Sequence, residues 1–199
     1  MINKQLKSFG NPLDEQNIEK IVSDVFKAFP ERFSREELIV FSPIQKIKEH
    51  LSVEAFTILI SYLSYNYWKS DGWWIGIFGN NPEIVPHIEE ALENIGCLTI
   101  AKEFNRLKEL FPKGTKFTIN NQDYCDTINF MQGLYRHIEN KIIFENYSKI
   151  DRDKLKISVK KSNNILEEET EKIFLNENIN KIIDYANNCN LSYLYKESK

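Results

Sequence analysis

The sequence predicts an all-α fold. Three observations carry that reading. Apolar residues recur at helical spacing through most of the chain, capping and stop signals bracket those stretches, and strict alternation is confined to one short segment near residues 155–160. The chain has 199 residues, compatible with one compact multi-helix domain, and a hydrophobic fraction of 42%, enough for a real core.

Ile18, Ile21, Val22, Val25, Phe26 and Phe29 share one helical face, so Asp14 to Phe29 reads as an amphipathic helix capped by Asp14 and stopped by Pro30. Ser34-x-x-Glu37 is a capping-box pattern opening a short helix through Phe41. Pro43 fits the first turn of another, reaching about His50. Ser52 then caps Val53–Lys69, whose Phe56, Leu59, Ile60, Leu63 and Tyr67 leave it apolar on most sides; this is the expected central helix. Asp71-Gly72 ends it, and Asn80-Asn81-Pro82 is a second turn signal.

Pro86 begins a helix with Ile88, Ala91, Leu92 and Ile95 on one face, and Gly96 fits its C-terminal cap. Ile100, Phe104, Leu107 and Phe111 mark the next, stopped by Pro112 and Gly114. Gln122 to Glu145 is again helical in period, through Ile128, Met131, Tyr135, Ile138 and Ile142. Leu155, Ile157 and Val159 alternate with Lys156, Ser158 and Lys160, a pattern open to a short hairpin, an edge strand or a loop. Glu167 to Asn188 returns to helix, and 191–199 is expected to fray. Residues 1–51 read as a helical extension packed on a core domain spanning 52–190.

Composition excludes several classes. No apolar run reaches the roughly 18 residues a bilayer span requires, and the N-terminus lacks a signal-peptide pattern, so a cytoplasmic protein without membrane contact is expected. Cys97, Cys125 and Cys189 are odd in number and widely spaced, which argues against a disulfide framework or a zinc site. A net charge of −3 argues against direct nucleic-acid binding. There is no phosphate-binding glycine loop and no hydrolase or metalloprotease motif, so neither a catalytic centre nor a cofactor is expected. His50, His87 and His137 are isolated and read as structural or surface residues; the pairs Asp123/Asp126 and Asp151/Asp153 have no shown facing geometry.

The most distinctive segment runs from Asp71 to Asn80, Asp-Gly-Trp-Trp-Ile-Gly-Ile-Phe-Gly-Asn, with three of the chain's seven glycines and all three tryptophans in or beside it. With Ala91-Leu92-Glu93-Asn94-Ile95-Gly96-Cys97 and Phe111-Pro112, it resembles a bacterial helical domain-of-unknown-function family. That family is named for a DNA-mimic protein that blocks a transcription regulator. Its pattern Asn-Gly-Gly-Phe-x-Gln-Phe/Tyr-Phe-x-Asn is matched at Gly72, Phe78 and Asn80, with Trp74 as an aromatic replacement. Asp71, Trp73 and Gly76 stand where the family has Asn, Gly and Gln. The likeness covers Ser52 to Leu110 well and the C-terminal helices loosely. It implies an all-α domain, a mainly structural role for Gly72, Trp74, Phe78, Asn80 and Gly96, and action by binding a protein partner.

Glu83, Glu89, Glu90 and Glu93 occur with no Lys or Arg between Asn80 and Cys97, and the last three share a helix face. Such a face could imitate a row of phosphates and bind a basic protein, or it could simply be solvated. The run Glu167-Glu168-Glu169 with Glu171 is open to local pairing with the basic stretch Arg152 to Lys161 or to a place in a helix first turn. The expected function is therefore a non-enzymatic protein-binding module, DNA-mimic-like, presenting the acidic face to a basic partner, with a homodimer compatible. The alternatives are an immunity- or antitoxin-type binder anchored by the aromatic segment, and an enzyme or small-ligand sensor with a pocket near Trp74 and Phe78.

Overall fold

The computed structural model describes residues 3–29, 43–119, 121–177 and 179–196. Among them the fold is all-α: α1 (Glu15–Ala28), α2 (Pro43–His50), α3 (Val53–Asp71), α4 (Val85–Asn94), α5 (Leu98–Lys108), α6 (Gln122–Gln132), α7 (Lys149–Glu177) and α8 (Asn180–Asn188). The helix expected at Ser34–Phe41, and Pro30 as a stop, lie outside the described residues.

α3 is the central helix. It buries residues on all sides, from Ala55 to Trp68, and packs against α1, α2, α4 and α8. α5 lies on α4 and α7, and α6 lies on α7. Local signals set the ends. Asp14 and Asn17 form a reciprocal capping box at α1, and Ser52 accepts from Ala55 N–H at α3. At Gly96 (φ 78°) the chain leaves α4 with Cys97 N–H donating to Leu92 O and Gly96 N–H to Glu93 O, which satisfies two orphan carbonyls.

The single helix expected over Gln122–Glu145 is corrected. Gly133 (φ 76°) closes α6 by the same pattern, with Leu134 N–H on Asn129 O and Gly133 N–H on Phe130 O. Two short 3₁₀ turns, Tyr135–His137 and Lys141–Phe144, take the place of its second half. Asp126, with no exposed surface, binds them back through the Glu139 and Asn140 amides at 3.0 and 2.7 Å. Burial opposes its charge, but those two amides and Gln122 outweigh it and hold the carboxyl below its ordinary range.

The strand or hairpin near 155–160 is also corrected, because the segment is helical within α7. Leu155 and Val159 are four apart and turn inward, while Ile157 is 68% exposed. The alternation was an accident of one outward isoleucine between an i, i+4 pair.

The ends of the described chain are stitched together. Leu6 N–H donates to Ser192 O, Leu194 N–H to Lys4 O and Ser52 N–H to Leu194 O, and Leu194 is buried. The expected fraying thus does not hold through Lys196, whose N–H reaches His50 O. Leu6, Leu13, Ile18, Val25, Ile47 and Leu51 belong to the same apolar core as α3.

His87 of α4 is buried against the edge of the Phe56 ring. Burial first, and Lys48 second, lower its pKa to about 4. Between the unfolded value near 6.5 and 4, the unfolded chain binds the proton and the folded one does not, so stability falls as pH drops through that window. His87→Leu is expected to flatten the slope of urea-unfolding free energy between pH 6.5 and 4; an unaltered slope would show that His87 does not carry it.

Candidate functional site

Residues Gly72–Gly79 form a π-helical segment directly after α3, with Asn80 N–H donating to Ile75 O. An aromatic, glycine-rich loop was the expectation; the backbone is helical but wider than an α-helix. Such turns are rare and concentrate at functional sites. Two glycines make it possible. Gly72 sits at φ +72°, and a Cβ there would meet Glu167 Oε1 at 2.9 Å. A Cβ on Gly76 would lie 2.3 Å from the Tyr67 carbonyl oxygen, so no side chain fits at that position.

The rings of the segment divide into two roles. Trp73 and Phe78 have no exposed surface, and Phe78 stacks on Phe104 and Phe111 at centroid distances of 5.3 and 5.1 Å. Tyr124 donates its hydroxyl to Phe78 O, and burial raises its pKa well above the ordinary phenol value. These rings plug the core. Trp74 is half-buried, stacks on Phe111, and also borders a cavity.

α7 holds the segment in place. Glu167 Oε2 accepts from Trp68 Nε1 at 2.7 Å and Oε1 from Trp73 N–H at 2.8 Å; Trp73 Nε1 donates to Thr170 Oγ1 at 2.7 Å. One member of the acidic run is thus a buried-side anchor. The run alone could not reveal it, since the partners are 94 to 99 residues away.

The cavity beside Trp74 has a volume of about 230 Å³. Met131 and Val159 supply apolar wall, and Gln132, Asn163 and Asn164 supply amides. Lys156 and Lys160 supply charge, and among the described residues no carboxylate lines it. Trp74 Nε1 and Asn163 Oδ1 are buried without hydrogen-bond partners. A buried donor or acceptor left unpaired costs about 1–3 kcal/mol. Sequence reasoning found Trp74 but missed Asn163, Lys156 and Lys160. Their signal was the stripe Arg152, Lys156, Val159, Asn163 at i, i+4, i+7, i+11, hidden while the segment read as alternating.

The acidic residues are placed differently from one another. Glu83 accepts from Ile119 N–H at 2.8 Å and so fixes a loop. Glu89 pairs with Lys108 of α5 at 2.5 Å, and Glu90 with Lys48 of α2 at 3.5 Å. Glu93 is exposed with no ion pair among the described residues. The helix has no lysine of its own, but the fold brings two to its flanks. Asn80 is exposed at the end of the π-helical segment, and Gly96 is exposed in its cap. Among the described residues no cluster of His, Cys, Asp and Glu is placed to hold a metal, and no helix is long and apolar enough to cross a membrane.

No protein-family model, no curated protein and no solved structure matches the chain.

Glu167→Ala is expected to lower stability by about 2–4 kcal/mol, because it leaves an indole and a backbone N–H unpaired. Glu167→Gln keeps one acceptor and should fall between. Urea denaturation measures both; a loss under about 0.5 kcal/mol for the alanine variant would remove the anchor role.

Proposed function

We propose that the protein is a non-catalytic binding module for a small, negatively charged ligand, seated in the cavity beside Trp74. The observation that carries this is a buried donor and a buried acceptor left unpaired, Trp74 Nε1 and Asn163 Oδ1, in two residues that border the same cavity. A ligand with an acceptor for the indole N–H and a donor for the amide oxygen would satisfy both. Lys156 and Lys160, unopposed by any lining carboxylate among the described residues, favour an anion. Stacking of Trp74 on Phe111, its tilted contact with Phe78 and the π-helical backbone beneath it keep the indole in position without the ligand. Equilibrium dialysis against a metabolite extract, read by mass spectrometry, should enrich a low-mass anion. Trp74→Phe keeps an aromatic ring at the position but removes the indole N–H together with one ring of the bicycle, so it should weaken retention about tenfold. Equal retention by Trp74→Phe and Asn163→Leu would end this reading.

A second reading is a docking surface for a basic protein on α4. Glu90, with its side chain 64% exposed, and exposed Glu93 favour it, as does the resemblance to the DNA-mimic-related family. Charge-led docking accelerates association and weakens with salt. Glu90→Lys with Glu93→Lys should abolish low-salt capture of a basic partner from nuclease-treated lysate; capture that survives both substitutions rules this surface out.

A further inference from the structure

A second cavity, of about 270 Å³, lies between α6 and the first turn of α7, bordered by both 3₁₀ turns. Half of its lining residues are aromatic. Phe130 and Phe144 stack at 4.1 Å and 8°, and Tyr135 and Tyr147 meet Phe130 edge-on at 5.8 and 4.9 Å. These rings form a small cluster separate from the main core.

Arg152 is the unusual feature. Its guanidinium lies 5.1 Å from the centre of the Tyr135 ring and has no ion pair among the described residues. Its Nε and the Tyr135 hydroxyl are both buried without hydrogen-bond partners, and both residues line the cavity. Burial first, and the Asp153 carboxylate second, raise the Tyr135 pKa against the opposing effect of Arg152, and the phenol is a donor at neutral pH. A half-buried guanidinium is normally paired, and two donors left unpaired in residues that border one cavity favour an acceptor beside them.

We propose that this cavity binds a flat organic monoanion, an aromatic carboxylate, through Arg152 and Tyr135. The guanidinium offers planar donors suited to a carboxylate, and the phenol adds another. The ring-lined walls favour a flat apolar body over a sugar or an extended chain. Lys141 adds a cation at the lining, but Glu145 sits there too and opposes a second negative charge. A phosphate dianion is therefore the poorer fit. The site is independent of the Trp74 cavity and does not need it to be occupied.

The test uses the full chain, titrated calorimetrically with 2-naphthoate, its neutral analogue 2-naphthamide, and inorganic phosphate, with amide NMR shifts locating the site. Naphthoate should bind saturably and shift amides between 135 and 152. Naphthamide should bind at least tenfold more weakly, and phosphate should not saturate. Arg152→Gln should weaken naphthoate at least tenfold, Arg152→Lys should recover part of that, and Tyr135→Phe should cost about threefold. A thermal melt reports whether each variant is folded; if Arg152→Gln is not, the acid–amide contrast and Tyr135→Phe decide. Absence of naphthoate binding, equal binding of acid and amide, or wild-type affinity in a folded Arg152→Gln overturns the proposal. Shifts confined to Trp74 and 156–164 also overturn it, and would assign the anion to the other cavity.

Discussion

Glu167 accepts from the Trp68 indole and the Trp73 backbone at once, and so ties α7 to the end of α3 and to the start of the π-helical segment. Much else depends on this clamp. It favours a glycine at position 72, where φ is +72° and a Cβ would crowd Glu167 Oε1 at 2.9 Å. It sets the direction in which the π-helical segment leaves α3, which in turn delivers Trp73 to Thr170 and Phe78 to the stack with Phe104 and Phe111. Burying a ring of that size contributes about 2–3 kcal/mol. That gain is available only while the wide helical turn keeps its register. A charged hydrogen-bond acceptor with two donors is the kind of interaction strong enough to hold it.

A different device closes the opposite side. Backbone hydrogen bonds from residues 4–7 to 190–194, and from Ser52 and Lys196 across the α2–α3 joint, bring the two ends of the described chain together. Asn187 adds a reciprocal pair, donating to Leu13 O and accepting from Leu13 N–H. α8 and the stretch after it are thereby joined to the N-terminal segment, and α3 is enclosed on that side. The central helix is apolar on most faces, and such a helix is stable only when every face is covered.

Helix identity was legible because it rests on local physics. The capping box at Asp14, Ser52 before α3 and Gly96 after α4 are written in neighbouring residues, and each behaves as its chemistry requires. The failures occurred where one local signal competed with another. Ile138 and Ile142 continue the period of α6, but Gly133 ends it, leaving Ile138 buried and Ile142 74% exposed. Between 155 and 159, three apolar residues at a spacing of two looked like a strand, although the lysines around them favour helix. Fewer features of the candidate sites were readable. Trp74 stood out by its size. Asn163, Arg152 and Tyr135 are ordinary residues in sequence, and what distinguishes them is an unpaired buried atom, which depends on long-range placement. The same holds for the acidic helix. Its lack of lysine is a sequence fact, while its pairing with Lys48 and Lys108 comes from α2 and α5.

One face of α7 joins these observations. In its second half, Leu166, Glu167, Thr170 and Phe174 repeat at helical spacing and are packed or hydrogen-bonded against α3 and the π-helical segment. In its first half, Arg152, Lys156, Val159 and Asn163 continue the same stripe, but there the helix borders cavities rather than a filled core. A helix is stiff over this length, so the packed half fixes the rotation of the open half. The side chains along the cavities are thus held in register by contacts a turn or more away, which lowers the ordering cost of any ligand they bind. A helix serving only to cover the core would gain more from leucine than from Arg152 and Asn163, whose buried polar atoms lack partners. Their presence on the inward stripe is a stability cost confined to the half of α7 that the clamp does not need.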